Sequence, residues 1–159
     1  MVLNIYLPKA NQDVPEAESH ALAVIPGGKG TILLVEDDAP LRQLTVRLLR
    51  SFGYHVLEAQ DATSALAMSD SVKNRIDLLL TDVVLPKING RTLAGMLVGR
   101  RPGLRVLFTS GYTGQNISEN TVLAENCNFL SKPYSRNMLA QKVHEVMDFE
   151  PALREQSIQ

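Results

Sequence analysis

The 159-residue chain reads as a doubly wound α/β protein, with a five-stranded parallel sheet and helices on both of its faces. Three observations carry that reading. Short apolar runs recur from Thr31 onward, segments with helical spacing of apolar residues separate them, and polar or small residues mark the turns. The strand runs are largely continuous rather than alternating, as expected of a parallel sheet buried on both faces.

Each element has its own warrant. Ile32-Leu33-Leu34-Val35 is a fully apolar first strand. Pro40 suits a first helical turn, Leu41, Leu44, Leu48, Leu49 and Phe52 recur at helical spacing, and Gly53 stops the helix. His55 to Ala59 is the second strand, and Asp61 can cap a helix carrying Ala65, Leu66 and Met68. Ile76 to Leu80 is read as the third strand. Pro86 and Asn89-Gly90 mark a loop before a helix bearing Leu93, Ala94 and Leu97. Val106-Leu107-Phe108 is the fourth strand, and Asn128-Phe129-Leu130 lies in the fifth. The last helix runs from about Ser135 to Met147, with Met138, Leu139, Val143 and Val146 as its apolar stripe. Thr113 to Asn126 should hold one more helix. It is polar and poorly periodic, and is expected to be short or mobile.

Composition bounds the function. With 45% hydrophobic residues, 21% charged residues and a net charge of -1, the chain has no global electrostatic footprint for nucleic acid or an anionic membrane. No apolar run approaches the ~20 residues that span a bilayer. A lone cysteine, Cys127, cannot form an internal disulfide and reads as a small buried hydrophobe. Met1 to Ile5 lacks the basic start and long apolar stretch of a secretory signal, so a cytoplasmic protein is the expectation. The globular domain is placed at residues 29–148. Residues 1–28 form an N-terminal extension and linker, interrupted by Pro8, Pro15 and Pro26, and residues 149–159 form a tail too short for an output domain.

In an open α/β sheet, chemistry gathers at the carboxyl ends of the strands. There the first strand ends in Glu36-Asp37-Asp38, the third in Asp82, the fourth in Thr109-Ser110, and the fifth leads to Lys132-Pro133. Several carboxylates in one cleft repel one another unless a cation neutralises them. All-oxygen ligands favour a hard ion, Mg²⁺ in a small site with room for water and a phosphoryl group. A carboxylate beside Mg²⁺, a hydroxyl and an ammonium is equipped for phosphoryl transfer to that carboxylate.

Four motifs, VEDD at 35–38, LTDVVLP at 80–86, FTSGY at 108–112 and FLSKPY at 129–134, resemble the receiver domain of two-component response regulators over roughly Thr31 to Asp148. The resemblance implies the flavodoxin-like strand order 2-1-3-4-5. It implies Asp82 as the acceptor of a phosphoryl group from a phosphohistidine on a histidine kinase. Glu36 and Asp37 would hold Mg²⁺ with Asp82 and the backbone carbonyl of Val84. Ser110 would turn toward the phosphoryl oxygens, Lys132 would pair with the acceptor and then the phosphate, and Phe129 would swing inward as the hydroxyl moves. Pro133 is expected after a cis peptide. A histidine phosphotransfer protein is an expected downstream partner, and the face of the last helix and fifth strand is the candidate surface for a weak homodimer. Leu3 to Pro8 is similar to the last strand of a histidine-kinase ATP-binding domain, which points to the C-terminal receiver of a hybrid sensor histidine kinase.

Other readings compete. Asp38 suits a helix N-terminus better than a metal. Thr109 reads as a strand side chain facing the helices, Phe129 has a second reading as plain core, and Lys87 reads as solvated. His144-Glu145 lacks the rest of a kinase phosphorylation box, and Gly27 to Thr31 lacks the order of a phosphate loop. The chain departs from the family's commoner residues at Glu36, Ser110 and Asn89, none of which removes a necessary group. Val84 and Tyr112, two residues beyond the acceptor and the hydroxyl, are bulky and are expected to shield the phosphoryl group from water. A free-standing single-domain regulator is the alternative function. An aspartyl-nucleophile phosphatase is a remote one, because Val84 stands where that chemistry wants a second acid.

Overall fold

The computed structural model describes residues 28–111 and 128–148. Five strands run parallel: β1 (Thr31–Val35), β2 (His55–Ala59), β3 (Leu78–Asp82), β4 (Arg105–Ser110) and β5 (Asn128–Ser131). Their order is β2-β1-β3-β4-β5, as the family resemblance implied. Four helices accompany them: α1 (Ala39–Ser51), α2 (Ala62–Ser71), α3 (Gly90–Arg100) and α4 (Arg136–Asp148). The expectations for Thr113 to Asn126, for Tyr112 and Cys127, and for the strand at 3–8 fall outside the described residues.

Successive strand residues point to opposite faces, and the unbroken apolar runs therefore feed two cores. Ile32, Leu34, Leu78, Leu80 and Leu107 pack against Val46 and Leu49 of α1 and Leu139 and Val143 of α4. Leu33, Val35, Leu79 and Phe108 pack against Ala62 and Ala65 of α2 and Leu93 and Leu97 of α3. The small residues of α2 let that helix lie close to the sheet.

The helix starts obey the capping chemistry visible in the sequence. The carboxylates of Asp38 and Asp61 accept from Leu41 N and Ser64 N at 2.8 and 2.7 Å, and the side-chain oxygen of Asn89 accepts from Thr92 N at 2.8 Å. Asn89 is thus the N-cap of α3. Gly53, with φ of 96°, follows α1 as anticipated. Gly90 has a different necessity: a Cβ there would lie 1.9 Å from the backbone oxygen of Asp82, so only glycine lets α3 begin against the end of β3.

Three sequence expectations need correction. β3 begins at Leu78 rather than Ile76, because Asp77 breaks the apolar run; its carboxylate accepts from Thr31 N at 2.8 Å and pairs with Arg75. Leu44 is 53% exposed, and α1 buries Thr45 and Val46 in its place. Met138 is 47% exposed, whereas Ala140 joins Leu139, Val143 and Val146 in the buried stripe of α4. In both helices the apolar periodicity located the helix correctly but included one position at the edge of the buried face.

At the opposite end of the sheet from the candidate site, Arg101 closes α2. Its guanidinium donates to the hydroxyl and carbonyl of Ser69, to Val72 O at 2.7 Å and to Asn74 O at 3.0 Å. These include carbonyls orphaned at a helix C-terminus. Arg101→Met is expected to lower unfolding stability by about 2–4 kcal/mol in urea titration, since charged hydrogen bonds to part-buried acceptors are lost. Arg100→Met, which removes only the exposed pair with Asp70, is expected to cost less than about 1 kcal/mol.

Candidate functional site

The register of the sheet assembles the site. Val35 pairs with Thr81 and Asp82 with Thr109, so the residues just beyond β1, β3 and β4 meet at one edge. Glu36 follows β1, its amide donating to Ala59 O at 3.2 Å, and it is only 3% exposed. Ser110, the last residue of β4, is buried, and its carbonyl accepts from Lys132 N at 2.8 Å. The Lys132–Pro133 peptide is cis, as anticipated.

Lys132 links the parts. Its ammonium donates to Asp82 Oδ2 at 2.6 Å and to Glu36 Oε2 at 2.7 Å. The second oxygen of Asp82 accepts from Val84 N at 2.9 Å, which fixes the plane of the carboxylate. Val84 itself is 61% exposed, so its side chain stands at the mouth of the site.

Two carboxylates share one ammonium, and the balance shows in the acid–base chemistry. Burial pushes the Glu36 carboxyl above its ordinary value near 4.5; the bond and charge of Lys132 oppose this but do not overcome it, and Asp82 adds to the rise. For Lys132, burial alone would lower the pKa. The hydrogen bonds and charges of Asp82 and Glu36 outweigh burial and hold the ammonium above its ordinary value of 10.5.

Asp37 lies beside this cluster in sequence and is exposed. Among the described residues, no group of three or more His, Cys, Asp or Glu side chains is arranged to hold a metal. The structure thus joins Glu36, Asp82 and Lys132 directly, and it leaves Asp37 outside that hydrogen-bonded group. The donors nevertheless fit a hard cation by chemistry: they are all oxygen, and one ammonium leaves the pair of carboxylates with an uncompensated negative charge.

The bland readings can also be placed. Asp38 is the N-cap of α1, Thr109 is buried, and Lys87 is exposed in the loop after β3. His144 pairs with Asp148 one turn along α4. Phe129 stacks on Phe108 with ring centroids 5.3 Å apart, and the Arg91 guanidinium lies 5.6 Å over its ring.

Two contacts were not legible in the sequence. Arg42 donates to the carbonyl of Glu36 at 2.7 Å and to that of Asp37 at 3.4 Å, so α1 grips the acidic loop. The hydroxyl of Tyr134 lies 3.2 Å from that of Thr45. Arg42 and Thr45 lie outside the four motifs, and Tyr134 closes the last of them with no role assigned to it. The one available signal was a threonine inside the apolar stripe of α1, a polar group that needs a partner when buried.

Residues 32–144 match the family model described as response regulator receiver domain. The chain belongs to this family. Among curated receiver relatives, it is 36% identical over 121 residues to the sensor kinase CckA of Brucella abortus, a match covering 76% of this chain and 13% of that protein. It is 29% identical to the response regulator receiver protein CpdR of the same organism, covering 73% of this chain and 95% of that one. The chain therefore spans a small part of one relative and the length of another. Among solved structures, the receiver domain from the hybrid histidine kinase CckA superposes with a TM-score of 0.63 at 37% identity, covering 74% of this chain and 99% of that one. A receiver domain protein from Clostridium thermocellum gives 0.65 at 26% identity, covering 74% and 94%. No helix among the described residues is long and apolar enough to cross a membrane.

Because burial disfavours the charged form of Glu36 more than Lys132 favours it, stability should depend on pH. A raised folded-state pKa makes the Glu36 contribution to stability fully present below about pH 4.5 and progressively lost as pH rises through the folded value. With a chelator present, Glu36→Gln should therefore unfold at higher urea than wild type at pH 7. The gap should close as pH falls toward 4.5, measured by denaturant midpoints across that range.

Proposed function

We propose that this receiver takes a phosphoryl group from a phosphohistidine onto Asp82. The observation that carries the reading is the Asp82 carboxylate held between Lys132 Nζ and Val84 N, at the carboxyl end of a buried strand. A carboxylate fixed in this way presents an oxygen to the incoming phosphorus without having to reorganise. The P–N bond to the partner's imidazole breaks as the P–O bond to Asp82 forms, and the electron pair leaves with the imidazole. Lys132 stays beside the acceptor and compensates the charge that accumulates on the phosphoryl oxygens.

Glu36, Asp37, Asp82 and the backbone carbonyl of Val84 are the groups that would hold Mg²⁺. The ion would supply electrostatic stabilisation to the transferring phosphoryl oxygens. Ser110 ends the neighbouring strand, its carbonyl bonded to Lys132 N, and its hydroxyl is the group we assign to the phosphoryl oxygens after transfer. The added charge of about -1.5 to -2 would then redistribute Lys132 and Ser110. Phe129, stacked on Phe108 in the strand beside it, is the aromatic that would respond.

Residues 29–148 form the receiver in this reading, within a cytoplasmic protein whose partners are a histidine kinase and a histidine phosphotransfer protein. Similarity to the receiver of a hybrid histidine kinase supports a place in such a kinase. Similarity to CpdR over nearly its whole length supports the second reading, a free-standing regulator acting by contact. The α4–β5 face, where Met138 is exposed, is the surface proposed for weak self-association.

Incubation with acetyl phosphate and Mg²⁺ should add the mass of one phosphoryl group to wild type and none to Asp82→Asn. Phosphorylation of Asp82→Asn to the wild-type level would refute the acceptor assignment. Val84→Asn should lose the phosphoryl group about tenfold faster than wild type, because an amide at the mouth of the site can orient water.

A further inference from the structure

Lys132 bonds two carboxylates at once, yet its side chain is long and flexible. Its backbone, just beyond β5, is held to β4 through Lys132 N to Ser110 O. The chain then turns at Pro133 and reaches Tyr134, which packs against the core shared by α1 and α4. The Tyr134 hydroxyl meets that of Thr45, a residue 1% exposed in the middle of α1. Among the described residues no buried side-chain oxygen or nitrogen is unpartnered, and Tyr134 is the side-chain partner of the buried Thr45 hydroxyl. On the same helix, three residues earlier, Arg42 holds the carbonyls of Glu36 and Asp37. Positions three apart lie on one face of a helix. One face of α1 therefore carries both the tie to the acidic loop and the tie to the lysine loop.

We infer that the Thr45–Tyr134 hydrogen bond is a positioning device that sets Lys132 against Asp82 and Glu36, using α1 as the common frame. Tyr134 and Thr45 touch neither acceptor nor phosphoryl group; they act through the lysine loop. The inference rests on the proposed phosphoryl transfer for its kinetic consequence and on the geometry alone for its structural one.

Paired substitutions separate positioning from packing. Thr45→Val keeps the shape and removes the hydroxyl, while Thr45→Ser keeps the hydroxyl and removes a methyl. Phosphorylation by acetyl phosphate with Mg²⁺ should slow roughly 3- to 10-fold in Thr45→Val and by a similar factor in Tyr134→Phe, as expected for a small displacement of a charge-compensating group. Thr45→Ser should retain close to the wild-type rate, and the double variant Thr45→Val/Tyr134→Phe should be no slower than either single one. A slow serine variant beside a normal valine variant would show packing instead and overturn the inference, as would multiplicative losses in the double variant. A crystal structure of Thr45→Val gives a readout independent of the reaction: the ammonium of Lys132 should move away from Asp82 Oδ2. An unmoved lysine would overturn the inference even if wild type took no phosphoryl group, an outcome that would itself count against the proposed function.

Discussion

One lysine shared by a buried and a half-buried carboxylate is the constraint on which the rest of the site depends. Glu36 is carried by the first strand, Asp82 by the third and Lys132 by the loop after the fifth, so no local stretch of chain can form this cluster. Such a cluster is a weak source of stability by itself, since the cost of taking charged groups out of water offsets much of their attraction. Burial raises the Glu36 pKa despite the lysine, which is the signature of that imbalance. The sheet and its two apolar faces must supply the stability that the site does not.

The parallel sheet solves the placement problem. Each strand is short, and each ends at the same edge, so residues distant in sequence come within hydrogen-bond reach. The helices add the fine adjustment. α3 begins so close to the Asp82 carbonyl that its first residue must be glycine, and α1 reaches both the acidic loop and the lysine loop. Val84, two residues beyond Asp82, is exposed.

Much of this was legible in the sequence. Apolar runs and caps located the nine described elements, and the acidic, hydroxyl and lysine residues at strand ends marked the site before any geometry. What was not legible had physical causes. Asp77 sits within an otherwise apolar run, and only the neighbouring strand's amide shows why the strand starts after it. Leu44 and Met138 lie at the margin of their helical stripes, where a periodic pattern does not distinguish covered from uncovered. Arg42 acts through backbone carbonyls and Thr45 and Tyr134 meet across a long sequence separation, so the sequence offers only a polar residue within the apolar stripe of α1 as a signal. The direct partner of Glu36 in the structure is Lys132, a contact that the charge of Glu36 alone does not reveal.

The shared lysine also suggests how the proposed switch would work. Any group that added negative charge at Asp82 would compete with Glu36 for the same ammonium, and the backbone bond from Lys132 to Ser110 links that ammonium's residue to the neighbouring strand. The most direct measurement is a crystal structure with beryllofluoride and Mg²⁺, a mimic of the acyl phosphate. The account predicts the mimic on Asp82 with the ammonium of Lys132 drawn onto its fluorines and away from Glu36. A mimic bound elsewhere, or a lysine still divided equally between Glu36 and Asp82 beside a bound mimic, would contradict it.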